Sequence, residues 1–483
     1  MEKYKRFRED YPQFIYSGYT VNEDSEKIGI EYHFEVPGLS EFNPTWVIPK
    51  ISPYSREIKG FSADECFEKM VFSLGMVELV SYWKLACPPE VVVKCGYLDA
   101  EQIKWWKSLY FNGLGEFYYT NGIEENEDDF MSIIIDQNNV HSHVSADNSI
   151  HKETAAKYHE LAGCLIPIGG GKDSALSLSI LKGERDTNYC YIINPRGATI
   201  ETYKAAGYGE EKVIAAKRTL DRNMLELNRQ GYLNGHTPFS AIVAFSATIA
   251  AYVNGIHYIV LSNESSANES TVEGSYVNHQ YSKSFRFEKD FHEYEAKYIG
   301  SGTYYFSLLR PLSELQIAEY FAKCTEYHDI FRSCNVGSKE DIWCGHCPKC
   351  LFVWLILSPF MSQKRLAEIF GRNMADDRDM ELYFSQLIGM EKEKPFECVG
   401  SRDEINAAVT LTIRDFDSGI NSGDRLPYLF ERYKELGMYD RHVADCEAYY
   451  TFYDSEHMIP EKYQEKLIAM IRANHKDFMS REI

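Results

Sequence analysis

A chain of 483 residues with 44% hydrophobic and 25% charged side chains has room for about two to four domains and the composition of an ordered globular protein. Its net charge of −21, with no Lys/Arg-rich run, argues against a nucleic-acid partner, whose grip rests on neutralised phosphates. A small anionic substrate met by a few converging Lys and Arg side chains remains compatible. No signal-peptide core opens the chain, and the longest apolar stretch, Phe239–Val253, is interrupted by Ser240, Ser246 and Thr248. It falls short of the ~20 residues of a membrane span, so the sequence points to the cytoplasm, with no membrane partner, and leaves the oligomeric state open.

In chain order, Lys27–Val36 alternates apolar and polar side chains, which predicts a half-buried strand ended by Pro37-Gly38. Phe67–Ala86 has apolar residues at helical spacing and stops before Pro88-Pro89. Ala100–Phe111 predicts an amphipathic helix carrying Trp105 and Trp106, and the acidic run Glu124–Asp129 a solvated loop. From about residue 160 the rhythm changes. Strands are expected at Cys164–Ile168, Tyr189–Ile193 and His257–Leu261, and helices from Ser174, over Lys212–Gln230 and over Phe239–Val253. Such alternation predicts an α/β fold, a parallel sheet with flanking helices. The tail reads as helical, with Tyr428–Leu436 and Lys462–Asn474 as examples, and shows no chemistry beyond scattered acids. The expected organisation is an α+β region over 1–150, the parallel-sheet region over 151–365 and a helical region over 366–483.

The strongest motif is Gly169-Gly170-Gly171-Lys172-Asp173-Ser174, between a strand and a helix. Glycines let backbone N–H groups close around phosphate oxygens, and the helix end adds a favourable dipole. Lys172 offers a point charge, Ser174 a hydroxyl, and Asp173 a ligand for Mg²⁺. It is not a Walker A loop: Asp173 follows Lys172 where Ser or Thr is required, and position 166 is Ile. The order Gly-Gly-x-Asp-Ser resembles the PP-loop ATP pyrophosphatases, with Gly169 where that family usually has Ser. The resemblance implies cleavage of ATP between its α- and β-phosphates and an adenylated intermediate.

Cys334 is followed after nine residues by Cys344-Gly-His-Cys347-Pro-Lys-Cys350. Four thiolates so spaced suit a structural tetrahedral Zn²⁺; paired thiols working as acid and base are the other functional reading. Two polar segments stand out. Ser262–Asn268, holding Asn263 and Glu264, follows a strand, where open α/β sheets bind ligands. Asn278–Ser284 holds His279, Tyr281 and Lys283. Both are either surface loops or pocket walls. Asn234–Pro238, with His236, is similar.

Several blocks together resemble one family. They are Ser81-Tyr82-Trp83-Lys84 before Pro88-Pro89, Gly113-Leu114-Gly115-Glu116-Phe117, Gly169–Ser174, Asn234–Pro238, Ser262-Asn263-Glu264 and Asn278–Ser284. Ser307–Pro311, Ser333-Cys334-Asn335 and Cys344–Cys350 complete the set. Over about 15–360 the chain resembles the bacterial UDP-N-acetylmuramoyl-L-alanyl-L-glutamate epimerases of peptidoglycan synthesis. The resemblance implies inversion of the terminal glutamate of a UDP-muramyl dipeptide, with ATP consumed, AMP and pyrophosphate released, and Mg²⁺ required. On that reading Gly169, Gly170, Gly171 and Ser174 hold pyrophosphate, with Asn263 beside the nucleotide. Asp173 binds Mg²⁺ with help from Glu264, and Lys172, Lys283 and Arg310 neutralise anions. His236, His279, Tyr281 and Lys283 are all suited to moving the proton, and the sequence does not choose among them. Rival readings are another PP-loop enzyme such as a 7-cyano-7-deazaguanine synthase, a zinc-stabilised binding protein, and a cofactor-free cysteine racemase.

Overall fold

The computed structural model describes residues 2–57, 60–136, 163–418 and 425–475. Its strands are β1 (Gln13–Glu23), β2 (Lys27–Val36), β3 (Ser40–Phe42), β4 (Thr45–Pro49), β5 (Glu90–Val93), β6 (Ser132–Ile135), β7 (Cys164–Pro167), β8 (Tyr189–Ile193), β9 (Val213–Thr219), β10 (Tyr258–Leu261) and β11 (Tyr304–Ser307). They form one eleven-stranded sheet in the order β11-β10-β7-β8-β9-β4-β2-β1-β5-β6, with β3 beside β2. The five strands from β11 to β9 are mutually parallel. By chain order among themselves they run 3-2-1-4-5, a doubly wound arrangement that reverses between β7 and β10.

The antiparallel pairing of β4 with β9, Thr45–Val47 against Lys217–Thr219, welds the amino-terminal strands to this parallel half. The sheet therefore runs unbroken across the expected boundary near 150, which itself lies outside the described residues. The boundary expected at 365 falls within the helix Gln363–Phe370. The expected helix over Lys212–Gln230 is instead strand β9 followed by the helix Arg222–Arg229. Val213, Ile214 and Ala216 are buried against the sheet, and Asp221 caps the new helix by accepting from the Asn223 amide at 2.8 Å.

Burial explains the other elements. Ile28, Ile30, Tyr32, Phe34 and Val36 alternate into the core from β2. The helices Glu65–Trp83 and Phe239–Asn254 are apolar on nearly every face because both are buried. Asp64 caps the first at two amides. Gly255, at φ +66°, ends the second. The tail is helical, as expected, and packs as part of the body. Arg402–Asp417 shares a core with the helix Pro348–Leu357. Tyr463, Leu467 and Ile471 of the last helix, Glu461–Asn474, cover Cys164 and Ile166 of β7. No helix among the described residues is long and apolar enough to cross a membrane.

Candidate active site

The loops after β7 and β10 leave the carboxyl ends of adjacent strands where the strand order reverses, the place at which an open sheet leaves a crevice. A cavity of about 690 Å³ lies there. Gly169, Gly171, Asp173 and Ser174 line it, as do Ser262 and Asn263 from the β10 loop. Tyr191, Ile193, Phe239 and Val243 add an apolar stretch, and His236, His279, Lys283, Lys349 and Cys398 complete another wall.

The glycine loop has the form of an anion cradle. Gly170 adopts φ +84°, and a Cβ there would lie 3.0 Å from the Ala198 Cβ and 3.3 Å from the Thr199 nitrogen, so neither the backbone nor the space admits another residue without strain. A Cβ on Gly169 would meet nothing within 4 Å. Gly171 caps the helix Lys172–Ile180 without a side chain to occupy the first amides. Those N–H groups and the positive helix end are left for an anion. The residues fit a nucleotide's phosphates on these grounds.

Lys172 does not line the cavity. It is buried, and its ammonium donates to Asp173 and to Glu314 beneath the loop. Burial works against its charge, but Asp173 and Glu314 hold it well above the ordinary lysine range. Asp173 is the bridge between this pair and the cavity, its side chain 31% exposed. Burial would raise its carboxyl, yet Lys172, with Lys349 and Lys283, keeps it below the usual carboxylate range and hence anionic.

Arg310, expected to meet an anionic ligand, is fully buried instead. Its guanidinium donates to Glu288 at 2.9 Å and to the carbonyls of Glu264 and Lys283. It therefore fixes the backbone of two loops that flank the cavity. Tyr281 is also buried away from it, under Arg286 and against Phe287, and burial lifts its phenol far above the range useful for proton transfer. Glu264 is buried behind the wall, within electrostatic reach of Lys172 and Lys283.

His236, His279 and Lys283 do meet. The two imidazole centroids lie 4.4 Å apart, and Glu116 serves both, hydrogen-bonding His279 Nδ1 and lying 3.6 Å from His236 Nδ1. Lys84 donates to Gly235 O and, at 2.8 Å, to Thr237 Oγ1, which holds the loop carrying His236. Burial, then the charges of His279, Lys84 and Lys283, push His236 down to about 3 and keep it neutral. Burial also opposes charge on His279, but hydrogen bonds to Cys398 and Glu116 outweigh it and raise the group to about 9.

The four knuckle cysteines converge. Their Sγ atoms lie within 4.8 Å of one another, with Cys334–Cys347 and Cys344–Cys350 at 3.7 Å and Cys347–Cys350 at 3.5 Å. Thiolates about 2.3 Å from one tetrahedral centre sit about 3.8 Å apart, so the set fits Zn²⁺. Amide donors from Gly337, His346 and Cys350 add N–H···S bonds. Cys347 also caps the helix Pro348–Leu357, which carries Lys349 to the cavity. One zinc per chain is expected by metal analysis. Chelation or Cys344→Ser should lower the melting temperature, with zinc restoring only the unmutated protein; unchanged melting and metal content would remove the zinc reading.

A model of the MurL N-terminal domain matches residues 5–308, and one of the MurL C-terminal domain residues 330–419. The chain belongs to the MurL family. It is 37% identical over 347 residues to a UDP-N-acetyl-alpha-D-muramoyl-L-alanyl-L-glutamate epimerase of Xanthomonas oryzae pv. oryzae, covering 70% of this chain and 73% of that one. Proteins of the same name from a Micromonospora species and Salinispora tropica are each 33% identical over 344 residues. Each match covers 70% of this chain, and 73% and 72% of the respective relative.

The MurL assignment agrees with the family resemblance read in the sequence and extends it. That reading ended near 360, whereas the MurL C-terminal model runs to 419. The phosphate loop, Glu116, His236, His279 and Lys283 fall in the MurL N-terminal match, while the zinc knuckle, Lys349 and Cys398 fall in the C-terminal one. The cavity is thus built from both. Sequence reading missed Cys398, Glu116 and Lys349 as site residues. Glu116 and Lys349 stood inside the family blocks Gly113–Phe117 and Cys344–Cys350, while for Cys398 the one signal was a lone cysteine in the turn-rich run Pro395–Gly400.

Proposed function

We propose that the chain inverts the terminal L-glutamate of UDP-N-acetylmuramoyl-L-alanyl-L-glutamate to D-glutamate at this cavity, with ATP as co-substrate. The observation that carries this is one cavity holding both an anion-cradling loop and a cluster of proton-transfer groups. A carboxylate resists loss of its α-proton because a second negative charge would form beside the first. Attack of that carboxylate on the α-phosphorus of ATP gives an acyl-adenylate and releases pyrophosphate. The α-proton then becomes acidic enough for a side chain to remove. Reprotonation on the other face and hydrolysis return the carboxylate and AMP.

In the PP-loop reading, the amides at Gly169–Ser174 and the Ser174 hydroxyl receive the pyrophosphate, and the apolar strip Tyr191, Ile193, Phe239 and Val243 suits an adenine. Asn263 offers its amide beside the nucleotide, although its Nδ2 donates to Ser307 Oγ at 3.1 Å. Asp173 is the residue placed to hold Mg²⁺, which offsets phosphate charge when bound; Glu264 supports it only by its field.

The test is incubation of the protein with ATP, Mg²⁺ and the UDP-linked dipeptide in deuterated water. AMP release, deuterium at the glutamate α-carbon and D-glutamate after acid hydrolysis are expected together. AMP without α-deuteration would keep the activation and discard the epimerisation. The absence of AMP would sink the reading of the loop.

A further inference from the structure

Cys398 is one of twelve cysteines, four of which form the zinc knuckle. It differs from the other seven, Cys66, Cys87, Cys95, Cys164, Cys190, Cys324 and Cys446, whose thiols burial pushes up. Cys398 instead lines the cavity together with Asp173 and Ser174 of the phosphate loop. His279 and Lys283 line the same wall of that cavity. His279 is hydrogen-bonded through Nδ1 to Glu116. The ammonium of Lys349 donates to the Cys398 carbonyl and fixes the backbone. The result is a wall on which Cys398, His279 and Lys283 share the cavity where an activated acyl group would lie, with Glu116 hydrogen-bonded to His279.

On the function proposed above, we infer that Cys398 is the catalytic base that takes the glutamate α-proton, with His279 and Glu116 as positioning residues. The thiolate accepts the proton and becomes a thiol. The C–H electron pair moves into the adenylated acyl group as an enolate. A solvent-derived proton then adds to the opposite face, and the thiol releases its proton to solvent, so protons balance and deuterium from solvent enters the product. Sulfur suits this step because a thiolate exists near neutral pH where a hydroxyl does not.

The surrounding charges favour the ionised form. Burial alone would raise the thiol, but Lys283, then His279 and Lys349, bring it down to about 6. Glu397, the adjacent carboxyl, and Glu116, behind His279, are the acids on this wall, and Asp173 faces it across the cavity. The thiolate–imidazolium pair spans the window between about 6 and about 9. The rate of α-proton exchange should rise as pH passes the lower limit and change again above the upper one.

The experiment separates activation from proton transfer in the full-length, zinc-loaded protein. Activation is read as ATP–pyrophosphate exchange that depends on the UDP-linked dipeptide, and proton transfer as deuterium wash-in at its α-carbon. If the unmutated protein shows no exchange, the function proposed above fails, whatever Cys398 does. In Cys398→Ala and Cys398→Ser, exchange should persist within about threefold while wash-in and inversion fall on the order of 10²–10⁴-fold. Wash-in within tenfold of the unmutated rate would overturn the proposal, and so would parallel loss of both activities in protein of unchanged melting temperature.

A second measurement needs no variant. Iodoacetamide labelling, mapped by mass spectrometry, should reach Cys398 before the other seven cysteines outside the knuckle, including the partly exposed Cys95 and Cys324. Its midpoint should lie near pH 6, and the UDP-linked dipeptide should slow it. A midpoint in the ordinary thiol range, about 8.5, would overturn the thiolate. Metal analysis addresses the competing occupant: a second metal equivalent lost in His236→Gln together with inversion would assign Glu116, His236 and His279 to a cation instead.

Discussion

Arg310→Ala should destabilise the protein by about 3–5 kcal/mol, the cost of leaving one partner of a buried ion pair alone. Arg310 and Glu288 are 0% and 1% exposed, and no water can take the place of the guanidinium without opening the fold. Glu288 also accepts from the Ser307 amide at 3.0 Å, so its carboxylate ties the end of β11 to the helix Phe285–Tyr294. A loss of that size is a large part of the 5–15 kcal/mol typical of a domain. Thermal melting should report it directly. Arg310→Met with Glu288→Leu removes both charges and should recover most of the stability, because replacing a whole buried pair costs little. The double variant still lacks the bonds to the Glu264 and Lys283 carbonyls, so its activity should stay impaired when its melting does not. Equal stability of Arg310→Ala and the unmutated protein would contradict the buried-pair account.

Asp173→Asn should have its larger effect on chemistry. Lys172 keeps Glu314 as its partner, so no cation is stranded. The amide has the shape of the carboxylate but lacks the charge that would hold Mg²⁺. Release of AMP and pyrophosphate should fall by about 10²–10³-fold, the effect of deleting one electrostatic stabiliser. Acid stability should shift too. A carboxyl depressed by Lys172 contributes stability above the ordinary Asp range, near 4, and loses it as pH falls through its lower folded value. Asp173→Asn removes that contribution, so the variant should differ from the parent near neutral pH and converge with it in acid. AMP release at the parental rate would remove Asp173 from the phosphate chemistry.

Much of the frame was legible because it follows local rules. Alternation marked Lys27–Val36 to the residue, and a short apolar run marked Tyr189–Ile193. The glycine loop showed itself because its shape depends on neighbours along the chain. What escaped depends on partners far away. Val213–Thr219 carries helix-compatible alanines and lysine, and becomes a strand because β8 and β4 pair with it from both sides. Arg310 reads as a cation for a bound anion until Glu288, 22 residues earlier, is found against it. Cys398 gave no sign beyond being a single cysteine, since Glu116, His279 and Lys283 belong to distant parts of the chain.

The last helix has a consequence for how the molecule is made. Tyr463 is made 299 residues after Cys164, yet Tyr463, Leu467 and Ile471 share a core with Cys164 and Ile166, on the strand that leads into the phosphate loop. The Tyr463 hydroxyl lies 2.9 Å from the Cys164 sulfur. Until that helix arrives, an apolar strip at the middle of the parallel half stays open, whatever else has folded. A chain released before Ile471 is made should therefore be a product that chaperones retain and proteases clear. Synthesis through this helix becomes a condition for the protein's survival in the cell.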